Sequence, residues 1–198
     1  MHLYHVPGTR STRIAWLLEE VGEPYDITVM AREDRQTPEH LARHPLGRVP
    51  VVHDGEGYIF ESAGLALHIA DQHMDKGLIP AIGTHDRGMV YQWVLFAMTD
   101  METPLVDIFI QKMFRDTPDQ AIIDSASEKF RAAAKVVNAA LEGKEYLVGG
   151  KFTVADLVIG GVEEFGRFME VLDDANTNAH LDRMLARPAA VKAREIGA

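Results

Sequence analysis

Short apolar runs separated by turn residues dominate residues 1–75 of the chain. The runs HLYHV, YDITVM, VPVVHD and GYIF have the length and the β-branched or aromatic content of strands. Between the first two runs, apolar residues recur at helical spacing from Ile14 to Val21, and Gly22 ends that helix. TPEHLARH and ESAGLALHIADQH predict two further helices. The order β-α-β-α-β-β-α predicts a small α/β domain with a mixed four-stranded sheet.

The pattern changes after this unit. The segment MDKGLIPAIGTHD contains two glycines and a proline and has no clear period, so we expect a linker over residues 76–86. From Arg87 onward the apolar positions follow a helical period, and Pro104 is expected to kink a long apolar helix. The predicted domains are therefore residues 1–75 and an all-α domain over residues 87–198.

One helix start in the second domain has a strong local signal. In FTVADLVI, Thr153 and Asp156 have the spacing of a capping box, in which each side chain binds the other residue's backbone N–H. Phe152 and Leu157 have the spacing of a hydrophobic staple across the same turn. We expect a well-defined helix to begin there.

Composition excludes several classes of function. The 198 residues include no cysteine, which rules out disulfides, thiolate metal sites and redox chemistry on the protein's own sulfur. A net charge of −10 without a basic cluster disfavours nucleic acid as a partner. The nine histidines are scattered and form no HExxH motif, so we expect no metal site. No apolar run is long enough to span a bilayer, and the start of the chain does not resemble a signal peptide, so we expect a cytoplasmic protein without a membrane partner.

Pro50 is unusual within the strand-like run HPLGRVPVV. Proline has no backbone N–H, so it is confined to sheet edges, to the first position of a strand or to special backbone features. Its position at the start of VPVV therefore needs a local explanation.

Six segments in this order resemble the glutathione transferases: LYHVPGTRSTRIAWLLEEVG, HPLGRVPVV, ESAGLALHIAD, LIPAIGT, FTVADLVI and RPAAVKA. Together they extend over nearly the whole chain. The resemblance implies an α/β plus all-α protein, with a thioredoxin-like domain that binds glutathione and a helical bundle domain that supplies most of the pocket for an electrophile. It also implies a homodimer, a role in detoxification and glutathione as co-substrate, without a metal.

The resemblance assigns most of the glutathione site. It places Pro50 on the family's cis-proline and Val49 on the residue whose backbone pairs with the cysteinyl part of glutathione. Glu61 and Ser62 fall on the positions that bind the γ-glutamyl end, where an acidic side chain suits the ammonium and a helix start suits the carboxylate. For the glycine carboxylate the first candidate is Arg48, followed by Arg35 and His40.

The resemblance leaves two candidates for the catalytic position. In members similar to the theta and yeast types, a serine four residues before the arginine of the first helix stabilises the thiolate, and Thr9 occupies that position here. Beta-type members have a cysteine one residue later, where this chain has Arg10, so their mixed-disulfide chemistry is excluded. Thr9 or Ser11 is therefore the expected donor and Arg10 can add a positive charge, although either hydroxyl could instead cap the first helix.

The expected function is conjugation of the glutathione thiolate to a small hydrophobic electrophile. Alternatives are glutathione-dependent reduction of a peroxide or disulfide, and a non-catalytic glutathione-binding or regulatory protein with the same fold. Methionine and aromatic side chains suit a permissive apolar pocket. The residues expected to line the second-substrate pocket are His5, Val6, Met98, Met101, Glu102 and Phe109.

Overall fold

The computed structural model describes residues 1–197, and its contacts divide the chain into two compact units. The first unit combines Met1–Ile79 with residues 186–197, and the second is Pro80–Leu185. The strands and helices are β1 (His2–His5), α1 (Ser11–Val21), β2 (Asp26–Val29), α2 (Pro38–Arg43), β3 (Val51–His53), β4 (Tyr58–Phe60), α3 (Ser62–Gln72), α4 (His85–Phe96), α5 (Glu102–Phe114), α6 (Gln120–Ala140), α7 (Val154–Phe168), α8 (Ala175–Leu185) and α9 (Pro188–Glu195). Short 3-10 turns cover Glu33–Gln36 and Met74–Lys76, and a π-helical turn covers Ala97–Met101.

The first unit contains the mixed sheet that the sequence predicts. Its strand order is β2-β1-β3-β4, with β1 and β2 parallel and the other two pairs antiparallel. Leu3 and Val52 are cross-strand partners, and both are fully buried together with Ile14 and Leu17 of α1. The apolar positions of the first strand and the first helix therefore form one core, as their periods indicate.

The strand directions bring four chain segments to one end of this sheet. β1 and β2 end there, at His5 and Val29, because they run in parallel. β3 is antiparallel to β1 and begins at that end with Val51, opposite Tyr4. β4 is antiparallel to β3 and ends there with Phe60, which pairs with Val51. The loops that follow β1, β2 and β4, and the loop that precedes β3, therefore meet at one end of the sheet.

The second unit is helical throughout its described elements, α4 to α8. The long apolar segment is interrupted by the π-helical turn at Ala97–Met101, directly before the first turn of α5, which contains Pro104. A proline has no N–H to give the carbonyl four residues back, and a π turn accommodates such a mismatch. The capping box of Thr153 and Asp156 is present at the start of α7, as predicted.

The end of the chain is grouped differently from the predicted domain boundaries. Residues 186–197 belong to the first unit, whereas the prediction assigned them to the all-α domain, because α9 packs along α1. Within the described part of the chain, no helix combines the length and the hydropathy that crossing a membrane requires.

Candidate active site

A pair of hydroxyl groups lies in the loop between β1 and α1. The Thr9 and Ser11 oxygens are 2.8 Å apart, and both hydroxyls are also within hydrogen-bond distance of the Val6 carbonyl, at 2.7 and 3.1 Å. The Val6 N–H donates to Ser11 Oγ at 3.1 Å. The two hydroxyls that the sequence singles out therefore belong to one hydrogen-bonded group at the start of α1.

The two hydroxyls differ in burial. Ser11 is fully buried, whereas Thr9 is half-buried. The N-cap residue of α1 is Arg10, which is exposed and makes no side-chain capping bond. The Thr9 oxygen accepts the N–H of Ser11, the first residue of α1, at 3.3 Å, so Thr9 also supports the start of this helix.

The Val49–Pro50 peptide bond is cis, as predicted. Val49 precedes the first residue of β3 by two positions, and its side chain packs in one cluster with Val6 and Val51. The backbone N–H and carbonyl of Val49 make no hydrogen bond to any other residue between 1 and 197. An unpaired donor and acceptor at a sheet margin can receive an extended peptide in the manner of an added strand.

Glu61 and Ser62 lie between β4 and α3. Glu61 has a φ of 74°, a left-handed value that few residues other than glycine adopt, and it precedes the first residue of the helix. The Ser62 hydroxyl is buried and has no partner among the described residues. The helix start thus combines free backbone N–H groups with a hydroxyl, which favours a carboxylate.

Three basic residues were candidates for the glycine carboxylate. Arg48 is exposed, and its side chain makes no ion pair or hydrogen bond among residues 1–197. Arg35 is half-buried, and its Nε donates to the Arg32 carbonyl at 2.9 Å. His40 is fully buried and its Nε2 lies 2.9 Å from the Arg48 carbonyl, so His40 holds the Arg48 backbone and is not open to a ligand.

The loop with Arg35 is held against the segment with Arg48 by a close backbone approach. Gly47 has a φ of 58°, and a methyl group built on it would lie 2.6 Å from the Arg35 carbonyl. Only glycine fits this position without displacing the loop. Gly47 and Gln36, which also lies against it, are not among the predicted site residues, although the glycine before Arg48 in HPLGRVPVV is a usable sequence signal.

The predicted second-substrate residues are divided between the two units. In the second unit, Met98 lies in the π-helical turn, Met101 and Glu102 are buried, and Phe109 packs edge-to-face on Phe165 with ring centroids 5.7 Å apart.

In the first unit, Val6 is buried, and the structure gives His5 a different place from the predicted one. His5 is fully buried, with Nδ1 2.8 Å from Ser11 Oγ and Nε2 3.3 Å from the Ile196 carbonyl. Burial lowers the pKa of His5 below its usual range. The His5 ring therefore belongs to the same hydrogen-bonded cluster as the Thr9 and Ser11 hydroxyls. The sequence offers no local signal for this role, because Ile196 is distant along the chain.

The described residues contain no cluster of three or more histidine, aspartate or glutamate side chains able to hold a metal ion. The polar groups described above at this end of the sheet are the Thr9 and Ser11 hydroxyls, the backbone of Val49, Glu61, Ser62 and His5.

Comparison with known proteins identifies the family. The model of the glutathione S-transferase N-terminal domain matches residues 1–71, and that of the C-terminal domain matches residues 69–188. Glutathione S-transferase 4 of Zea mays is 32% identical over 152 residues, which cover 74% of this chain and 68% of the relative.

Solved structures share the fold. A ternary complex of BphK, described as a bacterial glutathione transferase, has a TM-score of 0.87 at 23% identity and covers 99% of this chain and 98% of its own. A sphingomonad glutathione S-transferase complexed with glutathione has a TM-score of 0.85 at 22% identity, with the same coverage of 99% and 98%. The matched domains, the relatives and the shared fold together establish that the chain belongs to the glutathione S-transferase family and is an enzyme of that family.

Proposed function

We propose that the protein binds glutathione at the end of the sheet where the loops of the first unit meet and transfers its thiolate to a small hydrophobic electrophile. The observation that carries the proposal is that three features lie at this end of the sheet. They are the hydrogen-bonded pair of hydroxyls of Thr9 and Ser11, the unpaired backbone of Val49 and the helix start at Ser62. Each matches one chemical part of a γ-glutamyl-cysteinyl-glycine tripeptide. The sphingomonad structure contains glutathione, which supports the same ligand here.

The peptide backbone of the ligand is assigned to Val49. Its N–H and carbonyl offer one donor and one acceptor, as an edge strand does. The α-carboxylate of the γ-glutamyl residue is assigned to the α3 start with the Ser62 hydroxyl, and the ammonium to Glu61. Arg48 is exposed and suits the glycine carboxylate, and Arg35, whose carbonyl packs on the preceding Gly47, is the second candidate.

The thiol is assigned to Thr9 because Ser11 is enclosed. A free thiol with a pKa of about 8.5 is mostly protonated at neutral pH, so the enzyme must stabilise the anion with a donor and a positive dipole. Thr9 is the more exposed hydroxyl, and it precedes the positive end of α1. Cysteine is absent from the sequence, so a mixed disulfide with the protein is not part of the reaction.

Glutathione binding is tested first, by calorimetric titration of the wild-type protein. We expect one saturable site per chain, and the Ser62→Ala variant is expected to bind at least about tenfold more weakly because it loses a hydrogen bond to a charged group. Absence of binding at millimolar glutathione would refute the proposed function. A parallel assay compares chlorodinitrobenzene with cumene hydroperoxide, and turnover of the peroxide alone would replace conjugation by reduction.

The donor is tested with two shape-matched variants. Thr9→Val removes the hydroxyl and keeps the side-chain volume, and we expect kcat/KM with chlorodinitrobenzene to fall by about 100-fold, the usual effect of losing one donor to a developing anion. Thr9→Ser keeps the hydroxyl and should retain activity within about threefold. Equal activity of the valine and serine variants would show that Thr9 is not the donor.

We also propose that the enzyme is a cytoplasmic homodimer. Tyr58 and Phe60 are exposed aromatic side chains on the edge strand β4, and an exposed apolar surface of this kind favours contact with a second copy. Equilibrium sedimentation at micromolar concentration is expected to give twice the chain mass, and a monomer would contradict this part of the proposal. A cytoplasmic location agrees with the chain's lack of cysteine and with a glutathione-rich, reducing compartment.

A further inference from the structure

His5 is a buried imidazole with two different hydrogen-bond partners. Its Nε2 lies 3.3 Å from the Ile196 carbonyl and its Nδ1 lies 2.8 Å from Ser11 Oγ. A carbonyl oxygen only accepts, so Nε2 must carry a hydrogen for the first bond to form. In the neutral ring, Nδ1 is then the acceptor, and the Ser11 hydroxyl donates to it.

This tautomer fixes the direction of the next hydrogen bond. Ser11 has one hydrogen, and when it points to His5 the Ser11 oxygen is left as an acceptor for the Val6 N–H and for the Thr9 hydroxyl, 3.1 and 2.8 Å away. The Thr9 hydroxyl lies between two acceptors, the Val6 carbonyl at 2.7 Å and Ser11 Oγ at 2.8 Å, and in the relay orientation its one hydrogen points to Ser11. Thr9 then has a lone pair available toward the half-exposed side of the loop. A thiol placed there would donate its S–H to Thr9.

We propose that Thr9, Ser11 and His5 form a proton relay in which His5 accepts the proton of the glutathione thiol. The inference rests on the proposed function and assigns the base for its first step. The thiol proton moves to Thr9 Oγ1, the Thr9 proton moves to Ser11 Oγ and the Ser11 proton moves to His5 Nδ1, while the sulfur keeps the electron pair of its S–H bond. No other reactant is needed.

The relay leaves the thiolate stabilised. After the transfer, each hydrogen bond of the relay has the opposite direction: His5 donates to Ser11, Ser11 donates to Thr9 and Thr9 donates to the sulfur anion. The same hydroxyl that accepts from the thiol thus donates to the thiolate. Once the thiolate has attacked the electrophile, the proton returns along the same path to the leaving group or to water at Thr9.

The surroundings of His5 suit a neutral base at rest. Burial lowers its pKa, so the ring is unprotonated and able to accept at neutral pH. Burial causes this lowering, and the hydrogen bonds to the Ile196 carbonyl and to Ser11 only partly oppose it. Among the described residues, no carboxylate of β1, α1 or the C-terminal segment raises the pKa of His5. Protonation of His5 therefore requires a negative charge nearby, which the bound thiolate supplies.

The Ile196 carbonyl is held in place by tight packing. Gly197 has a φ of 70°, and a methyl group built on it would lie 2.8 Å from Val29 Cγ1 and 3.0 Å from Pro7 Cγ. The C-terminal segment therefore lies directly against the loop after β1 and the end of β2. This contact fixes the partner that selects the Nε2–H tautomer of His5.

Nitrogen NMR of the wild-type enzyme, labelled in histidine, tests the relay without any substitution. The free enzyme should show His5 as the neutral Nε2–H tautomer, and saturation with glutathione near pH 7 should give the shifts of an imidazolium. S-methylglutathione has no thiol proton and should leave His5 neutral. A His5 ring that stays neutral with glutathione bound as thiolate would overturn the proposal.

Variants give a second, kinetic test. His5→Asn keeps a polar side chain but has no basic nitrogen, and we expect kcat/KM near pH 6.5 to fall by about 100-fold while glutathione affinity stays within about threefold. Activity should recover above about pH 9, where solvent removes the thiol proton. Loss of activity that is independent of pH, or an unchanged pH profile, would show that His5 is not the acceptor.

Gly197→Ala should displace the Ile196 carbonyl, which selects the Nε2–H tautomer of His5. We expect the pH profile of kcat/KM to shift in the same direction as in His5→Asn. Gly143→Ala is its matched control, because Gly143 has a φ of 67° and no atom near a built methyl group. Equal pH profiles of the two alanine variants would count against the role of the C-terminal segment. Failure of the wild-type protein to bind glutathione would instead refute the proposed function itself.

Discussion

Gly166 lies on α7 where this helix passes the ring of Phe130 on α6. A methyl group built on Gly166 would lie 2.9 Å from Cε1 of that ring and closer still to Cζ. Phe130 is fully buried, so its ring has no space into which to move. The absence of a side chain at this position therefore permits the close packing of the two helices.

We expect Gly166→Ala to lower the free energy of unfolding by about 1–3 kcal/mol, because overpacking outweighs the better helix propensity of alanine. Gly88→Ala on α4 is the matched control, since no atom lies within 4 Å of a methyl group built there. The control should be stabilised by about 0.5–1 kcal/mol. Urea unfolding of both variants measures the difference, and a Gly166→Ala variant as stable as the control would disprove the packing argument.

At the same scale, the sequence singled out the residues of the candidate site but did not distinguish their individual roles. Thr9 and Ser11 were equivalent candidates because each is a hydroxyl near the first helix. Their difference comes from hydrogen bonds to His5 and Val6 and from burial, which no local pattern encodes. Pro50 was predictable because a proline that begins a strand-like run restricts the backbone to few arrangements.

At the scale of elements, α7 and α8 share a buried charged cluster. His180 on α8 places Nδ1 2.7 Å from a Glu163 oxygen and Nε2 3.3 Å from an Asp156 oxygen, and all three side chains are fully buried. Asp156 also accepts the N–H groups of Thr153 and Leu147, at 2.9 and 2.8 Å. With carboxylate partners on both nitrogens the His180 ring is protonated, in contrast to His5.

The cluster makes stability depend on pH. Hydrogen bonds to the two carboxylates outweigh burial and raise the pKa of His180 from 6.5 to about 9. Its stabilising effect is therefore complete below about pH 6.5 and is lost as the pH rises through about 9, a change on the order of 3 kcal/mol. Burial also raises the pKa of Glu163. Ionisation of this carboxyl therefore lowers stability as the pH rises from the usual range of a glutamate through the raised pKa, the same direction of change as for His180.

His180→Gln should flatten the pH dependence of the unfolding free energy between pH 6.5 and 9. His85→Gln is the control, because His85 lies exposed at the start of α4 in the same unit. Chemical denaturation across this pH range measures both variants against wild type. A wild-type slope that His180→Gln leaves unchanged would assign the pH dependence to other groups.

The elements themselves follow the sequence where their signals are local. The capping box of α7 was predictable because Thr153 and Asp156 are three residues apart. The pairing of Asp156 and Glu163 with His180 was not, because it joins residues 24 and 17 positions apart on two helices. The π-helical turn was only indirectly visible, as the kink expected at Pro104.

At the scale of the whole molecule, the C-terminal segment of the chain packs on its first helix. α9 packs along α1, and two ion pairs join α1 to Lys192 of α9 and to Arg187, the residue directly before α9. Arg187 binds both oxygens of Glu20, at 2.6 and 2.8 Å, and the Glu20 side chain is only 10% exposed. The second ion pair is more exposed to solvent: Lys192 contacts Glu19 at 2.6 Å, and the lysine side chain is 68% exposed. The first and last helices of the chain are thus joined by one enclosed, bidentate pair and one solvated pair.

The domain boundaries could not be drawn correctly for this segment from composition, since α9 is helical like the domain that precedes it. Its membership depends on long-range contacts with α1 that only the folded chain shows. The mixed sheet was predictable, by contrast, because a helical connection between the first two strands favours a parallel pair and a short turn between the last two favours an antiparallel pair.

Double-mutant cycles on the two pairs test how the end of the chain is held. Glu20→Gln and Arg187→Gln should show a coupling energy of about 1–3 kcal/mol in urea unfolding, because each oxygen of a mostly buried carboxylate meets a guanidinium donor. Glu19→Gln and Lys192→Gln should couple by at most about 0.5 kcal/mol, since water screens the exposed ammonium. Glutamine keeps an acceptor for the Trp16 and Tyr25 side chains that also bind these carboxylates. Equal coupling in the two cycles would mean that the burial of Glu20 does not strengthen the first pair.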